Sequence, residues 1–275
     1  MSETVKTRSA GTAGPDVLYS VEHHIAIITL NRPERMNTIS GPMLDLLTEL
    51  LLKADRDEEV RCVIVTGTGR AFCAGLDLTE AVTSGAGLQT KSMSASTLDL
   101  KATPPTVLFN MDTPTICAIN GSAAGYGMDT ALGCDIRIMA ESAKMAAAFC
   151  KRGILPESGG TWFLPRLIGW ARAAELIFTA RTLDAAACLE LGLVGEIVPD
   201  NQVLSRAKAL AAEIAANAPM AVQAAKRMMR MGMNETFNDH VHHVFLQLLP
   251  LFRSEDAREG MLAFLEKRAP QFKGR

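Results

Sequence analysis

The chain has 275 residues, 48% hydrophobic and 21% charged, with a formal net charge of −2 at pH 7. Such a length supports a substantial core and the composition is that of a globular protein, while the near-balanced charge argues against general nucleic-acid binding, which draws on an excess of Lys and Arg. Six cysteines, at 62, 73, 117, 134, 150 and 188, form no C-x-x-C pair and sit in mostly apolar surroundings, so reduced core thiols and a cytoplasmic location are expected.

Residues 1–16 read as a flexible polar tail without the apolar stretch of a signal peptide, and no apolar run reaches membrane-spanning length. Residues 19–30 read as a strand whose second half is buried, with His23 and His24 on its surface. The loop 31–37 breaks at Pro33. Ser40 marks a helix start, after which Met43, Leu46, Leu47, Leu50, Leu51 and Ala54 recur at helical spacing. Residues 61–66 form a second expected strand, and strand–helix–strand predicts a right-handed parallel crossover. Gly67 and Gly69 begin a dinucleotide fingerprint that fails at Phe72. A tight turn at 74–76 leads toward a helix near Asp77, which is expected to cap it. Residues 79–103, rich in Ser, Thr and Gly and without periodicity, suit a lid over a substrate tail.

The stretch 117–135 carries the strongest local chemical signal. An apolar segment runs into glycines 121, 125 and 127, and a helix opens near Tyr126. Free N–H groups and partial positive charge at a helix start suit an oxyanion, and Asp129 lies just inside that helix. Downstream, 136–139 reads as strand, 171–179 as helix, 183–191 as a helix stopped by Gly192, and 195–199 as a short strand. From Val203 the pattern is mostly helical, so a boundary is expected near residue 200, dividing 17–200 from 201–275. Met228, Met229, Met231 and Met233 read as packing residues. His240, His242 and His243 do not share one helical face, and no metal site is expected.

Several motifs in order carry a resemblance: the 31–37 loop Asn-Arg-Pro-Glu-Arg-Met-Asn, the turns at 74–78 and 120–127, Gly159-Gly160-Thr161, and the 258–268 stretch. On them the chain resembles the enoyl-CoA hydratase/isomerase (crotonase) superfamily over about residues 17–275. The resemblance implies an α/β crotonase (ClpP-like) spiral of ββα units with a helical C-terminal trimerisation region, assembled as a homotrimer or a hexamer built as a dimer of trimers. It implies an acyl-CoA thioester substrate and no separate cofactor, CoA arriving as part of the substrate, with neither nucleic acid nor membrane as partner. The backbone N–H groups of Leu76 and Tyr126 map to the oxyanion hole. Arg35, Ala74, Asp77 and Leu78 map to positions lining the CoA pocket, and Phe264 and Lys267 to C-terminal positions that face a neighbouring subunit's CoA.

One departure from the family shapes the functional reading. Hydratases of the superfamily carry two glutamates; here those positions hold Asp129 and Phe149. Eight residues on, Glu157 occupies a position where double-bond isomerases place an acid, and the continuation from Trp162 is closest in motif to phenylacetyl-CoA-epoxide and dienoyl-CoA isomerases. Met128, Phe149 and Trp162 are expected to line the acyl pocket and to raise carboxyl pKa values by desolvation. The expectation is therefore isomerisation, with Glu157 as main proton carrier and Asp129 assisting. Hydration through the same acids, and a CoA-ester-binding scaffold without chemistry, are the competing readings.

Overall fold

Apolar runs that alternate with short turns make strands buried on both faces, the signature of parallel sheet. A computed structural model describes residues 14–77, 79, 93–94, 97–98 and 103–275. Strands β1 (Val17–Glu22) and β2 (Ile25–Leu30) are antiparallel. Residues 19–30 thus form part of a hairpin, not one strand. His23 and His24 are its turn, with φ of 50° and 65°, the left-handed pair of a primed turn that matches strand twist.

Helix α1 (Gly41–Arg56) follows, capped by Ser40, whose hydroxyl accepts the Met43 N–H at 3.3 Å. Its buried face contains the six apolar residues read from the periodicity. Next come β3 (Cys62–Gly67) and β4 (Ala71–Cys73), a short antiparallel pair β5 (Met93–Ser94) and β6 (Thr97–Leu98), and α2 (Pro104–Asn110). After them lie β7 (Thr115–Ile119), β8 (Ser122–Ala124), α3 (Tyr126–Gly133), β9 (Ile136–Ala140) and β10 (Lys144–Ala146).

The strands sort into two sheets. One runs β1-β2-β3-β7-β9 and closes with β12 (Glu196–Val198); the other runs β4-β8-β10 and closes with β11 (Thr182–Asp184). Each successive pair, β3–β4, β7–β8 and β9–β10, sends its first strand to the large sheet and its second to the small one. This is a spiral of ββα units. From β2 to β12 every contact in the large sheet is parallel, so the predicted parallel crossover between β2 and β3 is present.

Helices α4 (Gly160–Ile168), α5 (Trp170–Thr179) and α6 (Ala185–Glu190) lie between β10 and β12. The expected helix 183–191 is shorter, because 182–184 pairs antiparallel with β10 and Asp184 then caps α6 through the Ala187 N–H at 2.9 Å. The C-terminal part holds α7 (Val203–Ala215), α8 (Pro219–Gly232), α9 (Phe237–Leu251) and α10 (Glu255–Glu266). Val203, Ala207 and Ala211 of α7 join the core beneath the large sheet, where small side chains permit close approach. Of the four methionines read as packing residues only Met228 is buried; Met229 is 75% exposed. Five cysteines are buried free thiols, whereas Cys150 is exposed. Among the described residues no helix is long and apolar enough to cross a membrane. Most of the 79–103 segment and Leu78 lie outside the described residues.

Candidate active site

Two glycine turns, one after β4 and one after β8, face each other because β4 and β8 are neighbours in the small sheet. At the first, Gly75 has φ +105°. Ile39 N–H donates to the Gly75 carbonyl at 2.9 Å, and Asp77 N–H donates to the Ile39 carbonyl at 2.9 Å. In such a parallel bridge the intervening Leu76 N–H points to the other side. At the second, Gly125 has φ +53° and its N–H donates to Ala146 O at 2.9 Å. Tyr126 is then the first residue of α3, and a first-turn N–H has no partner within its own helix.

The turns nearly touch. A Cβ built on Gly75 would stand 3.0 Å from the Ala124 carbonyl oxygen and 3.8 Å from the Tyr126 nitrogen. Neither the Leu76 nor the Tyr126 N–H has a hydrogen-bond partner among the described residues. Between them lies a cavity of about 50 Å³, lined among others by Gly75, Leu76, Gly125, Tyr126, Phe149 and Arg152. That space suits a carbonyl group with little else. Two free donors aimed at one small cavity are what an oxygen gathering negative charge requires.

The acids come from different elements. Asp129, in the first turn of α3, is 1% exposed, and its Oδ2 accepts the Gly160 N–H at 3.3 Å. Gly160 leaves room for that carboxyl, since a Cβ there would overlap Asp129 Oδ1. Burial, then the charge of Glu157, push the Asp129 carboxyl up to about 8, against the backbone donors of Gly160 and Ser158. Glu157 is exposed by surface area, yet neighbouring atoms desolvate it enough to raise its carboxyl as well, opposed by its own backbone N–H and the Ser158 hydroxyl. Access to water favours the smaller perturbation at Glu157. The pair therefore divides: Glu157 ionises first, and its charge helps keep Asp129 protonated.

The other sequence-derived positions disperse. Phe149 is buried with its ring 3.9 Å from where a Gly125 Cβ would be, so it lines the cavity. Met128, next to Asp129 in sequence, is fully buried in the core, because the helix turns successive side chains to different faces. Trp162 is partly buried against Phe109 and Phe163, at ring-centroid separations of 5.0 and 5.3 Å, with the Arg166 guanidinium 4.1 Å over its ring. The buried Asp77 carboxylate accepts from Arg32 at 3.1 Å and Arg35 at 3.4 Å, tying the 31–37 loop to the first turn. Ala74 lines the cavity. Phe264 is 83% exposed on α10, and Lys267 caps that helix with φ 55°.

Sequence reasoning missed Arg152 and Ile154, which also border the cavity. The turn after Phe149 carried no motif that would have singled them out. Among the described residues no group of three His, Cys, Asp or Glu is arranged to hold a metal ion.

Known proteins resemble this chain in sequence and fold. The sequence profile of the family described as Enoyl-CoA hydratase/isomerase matches residues 20–275. The 1,2-epoxyphenylacetyl-CoA isomerase of Escherichia coli is 37% identical over 259 residues, 94% of this chain and 98% of its own length. An enoyl-CoA hydratase of Mycobacterium tuberculosis is 38% identical over 272 residues, 96% of this chain and 98% of its own. The crystal structure of an enoyl-CoA hydratase from Bacillus anthracis superposes with a TM-score of 0.85 at 34% identity, covering 95% of this chain and all (100%) of that one.

Proposed function

The chain belongs to the enoyl-CoA hydratase/isomerase family, and from that premise we propose that it is an enzyme moving a double bond within an unsaturated acyl-CoA thioester. The observation that carries this reading is the pair of unpartnered N–H groups, Leu76 and Tyr126, converging on one cavity, together with two carboxyls of divided proton affinities close enough to act electrostatically on the Tyr126 phenol. The thioester oxygen binds the two donors. Glu157, ionised, removes a proton from the carbon that ends up in the shifted double bond, and the charge delocalises onto the thioester oxygen. Each preorganised donor stabilises that enolate by roughly 3 kcal/mol. The proton returns from Glu157 to the other end of the three-carbon unit, so atoms and charge balance without a co-reactant. Asp129 assists as a neutral acid.

Phe149 supports isomerisation over hydration. A phenyl ring at the position of the second hydratase glutamate cannot hold or deprotonate a water. The name of the mycobacterial relative favours the second reading, addition of water through Asp129 and Glu157. CoA itself is placed by Arg35, Ala74, Asp77 and Leu78, with Phe264 and Lys267 supplied to a neighbouring subunit's site. Exposed apolar side chains on α9 and α10, among them Phe237 and Phe264, support assembly as a trimer or a dimer of trimers. A cytoplasmic setting fits the free thiols.

The test is Glu157→Gln. Turnover of a 3-enoyl-CoA, followed by the rise of conjugated absorbance and by mass, is expected to fall about 100-fold or more, the scale of a positioned acid/base. With the 3-enoyl-CoA, product of unchanged mass marks isomerisation; with a 2-enoyl-CoA, whose conjugated double bond is the one water adds to, product heavier by one water marks hydration. Unchanged turnover removes Glu157 from the chemistry.

A further inference from the structure

Tyr126 carries two donors, and only its backbone N–H has a task so far. As the first helical residue, its Cα–Cβ bond tilts toward the helix N-terminus, which carries the ring beyond the end of α3. The residue is 4% exposed, and its hydroxyl is buried without a hydrogen-bond partner. Native proteins leave few buried donors unpaired, because each forfeits its hydration. Packing does not account for the hydroxyl, since a phenylalanine would fill the same ring volume without that loss.

The surroundings are polar. The Thr103 and Ser158 hydroxyls are near enough to favour the ionised phenol, yet neither closes a bond to it within ordinary geometry. Thr103 Oγ1 pairs with Thr106 Oγ1 at 3.0 Å, and Ser158 Oγ donates to Glu157 at 3.4 Å. Burial first, and then the nearby carboxyls of Glu157 and Asp129, keep the phenol protonated and therefore able to donate. The acids that handle the acyl carbons thus adjoin an idle donor. A phenol whose own backbone N–H holds the thioester oxygen lies within one side-chain length of the first carbons of the acyl chain.

Resting on the thioester reading above, we propose that the Tyr126 hydroxyl is a specificity-determining donor that hydrogen-bonds an oxygen at the β position of the acyl chain. The ligand class is a CoA thioester bearing a β-hydroxy or β-alkoxy group. The phenol hydroxyl is closed to solvent in the present conformation, and the exposed turn carrying Glu157 is the element that yields to admit such an oxygen.

The test compares two unreactive, nearly isosteric thioesters, methoxyacetyl-CoA and butyryl-CoA, which differ by oxygen against methylene at the β position. Dissociation constants are measured by calorimetry on the unsubstituted protein and on Tyr126→Phe, which keeps the backbone N–H and the ring. The unsubstituted protein is expected to prefer methoxyacetyl-CoA by roughly tenfold, the scale of one hydrogen bond to an otherwise orphaned donor. In Tyr126→Phe the ratio falls to one or below. No preference in the unsubstituted protein, as when the phenol holds only a water, overturns the proposal. An equal preference in both proteins, or equal weakening of both ligands in the variant, also overturns it. Failure of both thioesters to bind the unsubstituted protein refutes the thioester reading itself and the proposal with it.

Discussion

Replacing Asp129 by Asn tests the electrostatics on which the acid/base division depends. The unfolded chain ionises this carboxyl near its ordinary value of 3.8 and the folded chain at about 8. Between those values the folded state holds a proton that the unfolded state has released, so stability falls as pH rises through the window. Below it both states are protonated and above it both are ionised, and the dependence is flat. At about 1.4 kcal/mol per pH unit, the whole interval is worth on the order of 5 kcal/mol. Asn cannot ionise, yet its amide oxygen still accepts the Gly160 N–H now donated to Asp129. At pH 5, about 1.2 pH units above the ordinary value, roughly 1.6 kcal/mol of that loss is already present in the parent, so the Asn protein should be the more stable by roughly 1–2 kcal/mol. At pH 8.5 the Asn protein should be the more stable by several kcal/mol. Guanidinium melts of both proteins at the two pH values, at one fixed protein concentration because assembly is linked to stability, give the comparison directly. If the difference between variant and parent is the same at pH 5 and pH 8.5, Asp129 is ionised in the folded protein. The assignment of Asp129 as neutral acid then fails.

Two further outcomes follow from the same geometry. Gly75→Ala places a Cβ 3.0 Å from the Ala124 carbonyl at a φ of +105°, so a stability loss of about 1–3 kcal/mol is expected in thermal melts. Turnover should fall by a factor of about 100 or more as the Leu76 N–H is displaced, and unchanged turnover would show that this turn does not hold the reacting oxygen. The pH–rate profile should rise on its acid side as Glu157 ionises, above the ordinary carboxylate range, and fall near pH 8 as Asp129 loses its proton. In Asp129→Asn the alkaline fall should disappear; an alkaline limb that survives belongs to another group.

The local features were legible because their causes are local. Ser40 as a cap, the buried face of α1 and the glycine turns at 75 and 125 follow from nearest-neighbour sterics and helical periodicity. The hairpin at His23–His24 was not, since the sequence lacks the Asn-Gly or Asp-Gly pair that marks such a turn, and the pairing of β1 with β2 holds the two residues there. The strand 182–184 likewise exists because β10 is available to pair with it. Met229 shows the same limit in the other direction: periodicity identifies an apolar residue, while the neighbours decide whether it is covered.

The sequence by itself determined that two glycine turns, a helix start at Tyr126 and acids at 129 and 157 would be present, and the order of its motifs identified the family. Tertiary structure decided which of them meet. The small sheet sets Gly75 against Tyr126, 51 positions apart in the chain. The α3–α4 packing brings Gly160 onto the Asp129 carboxyl and Glu157 within reach of its charge. Burial then separates the proton affinities of two acids that are nearly alike in water. That separation depends on the distance to solvent and to the other charge, and neither quantity is encoded at either residue alone.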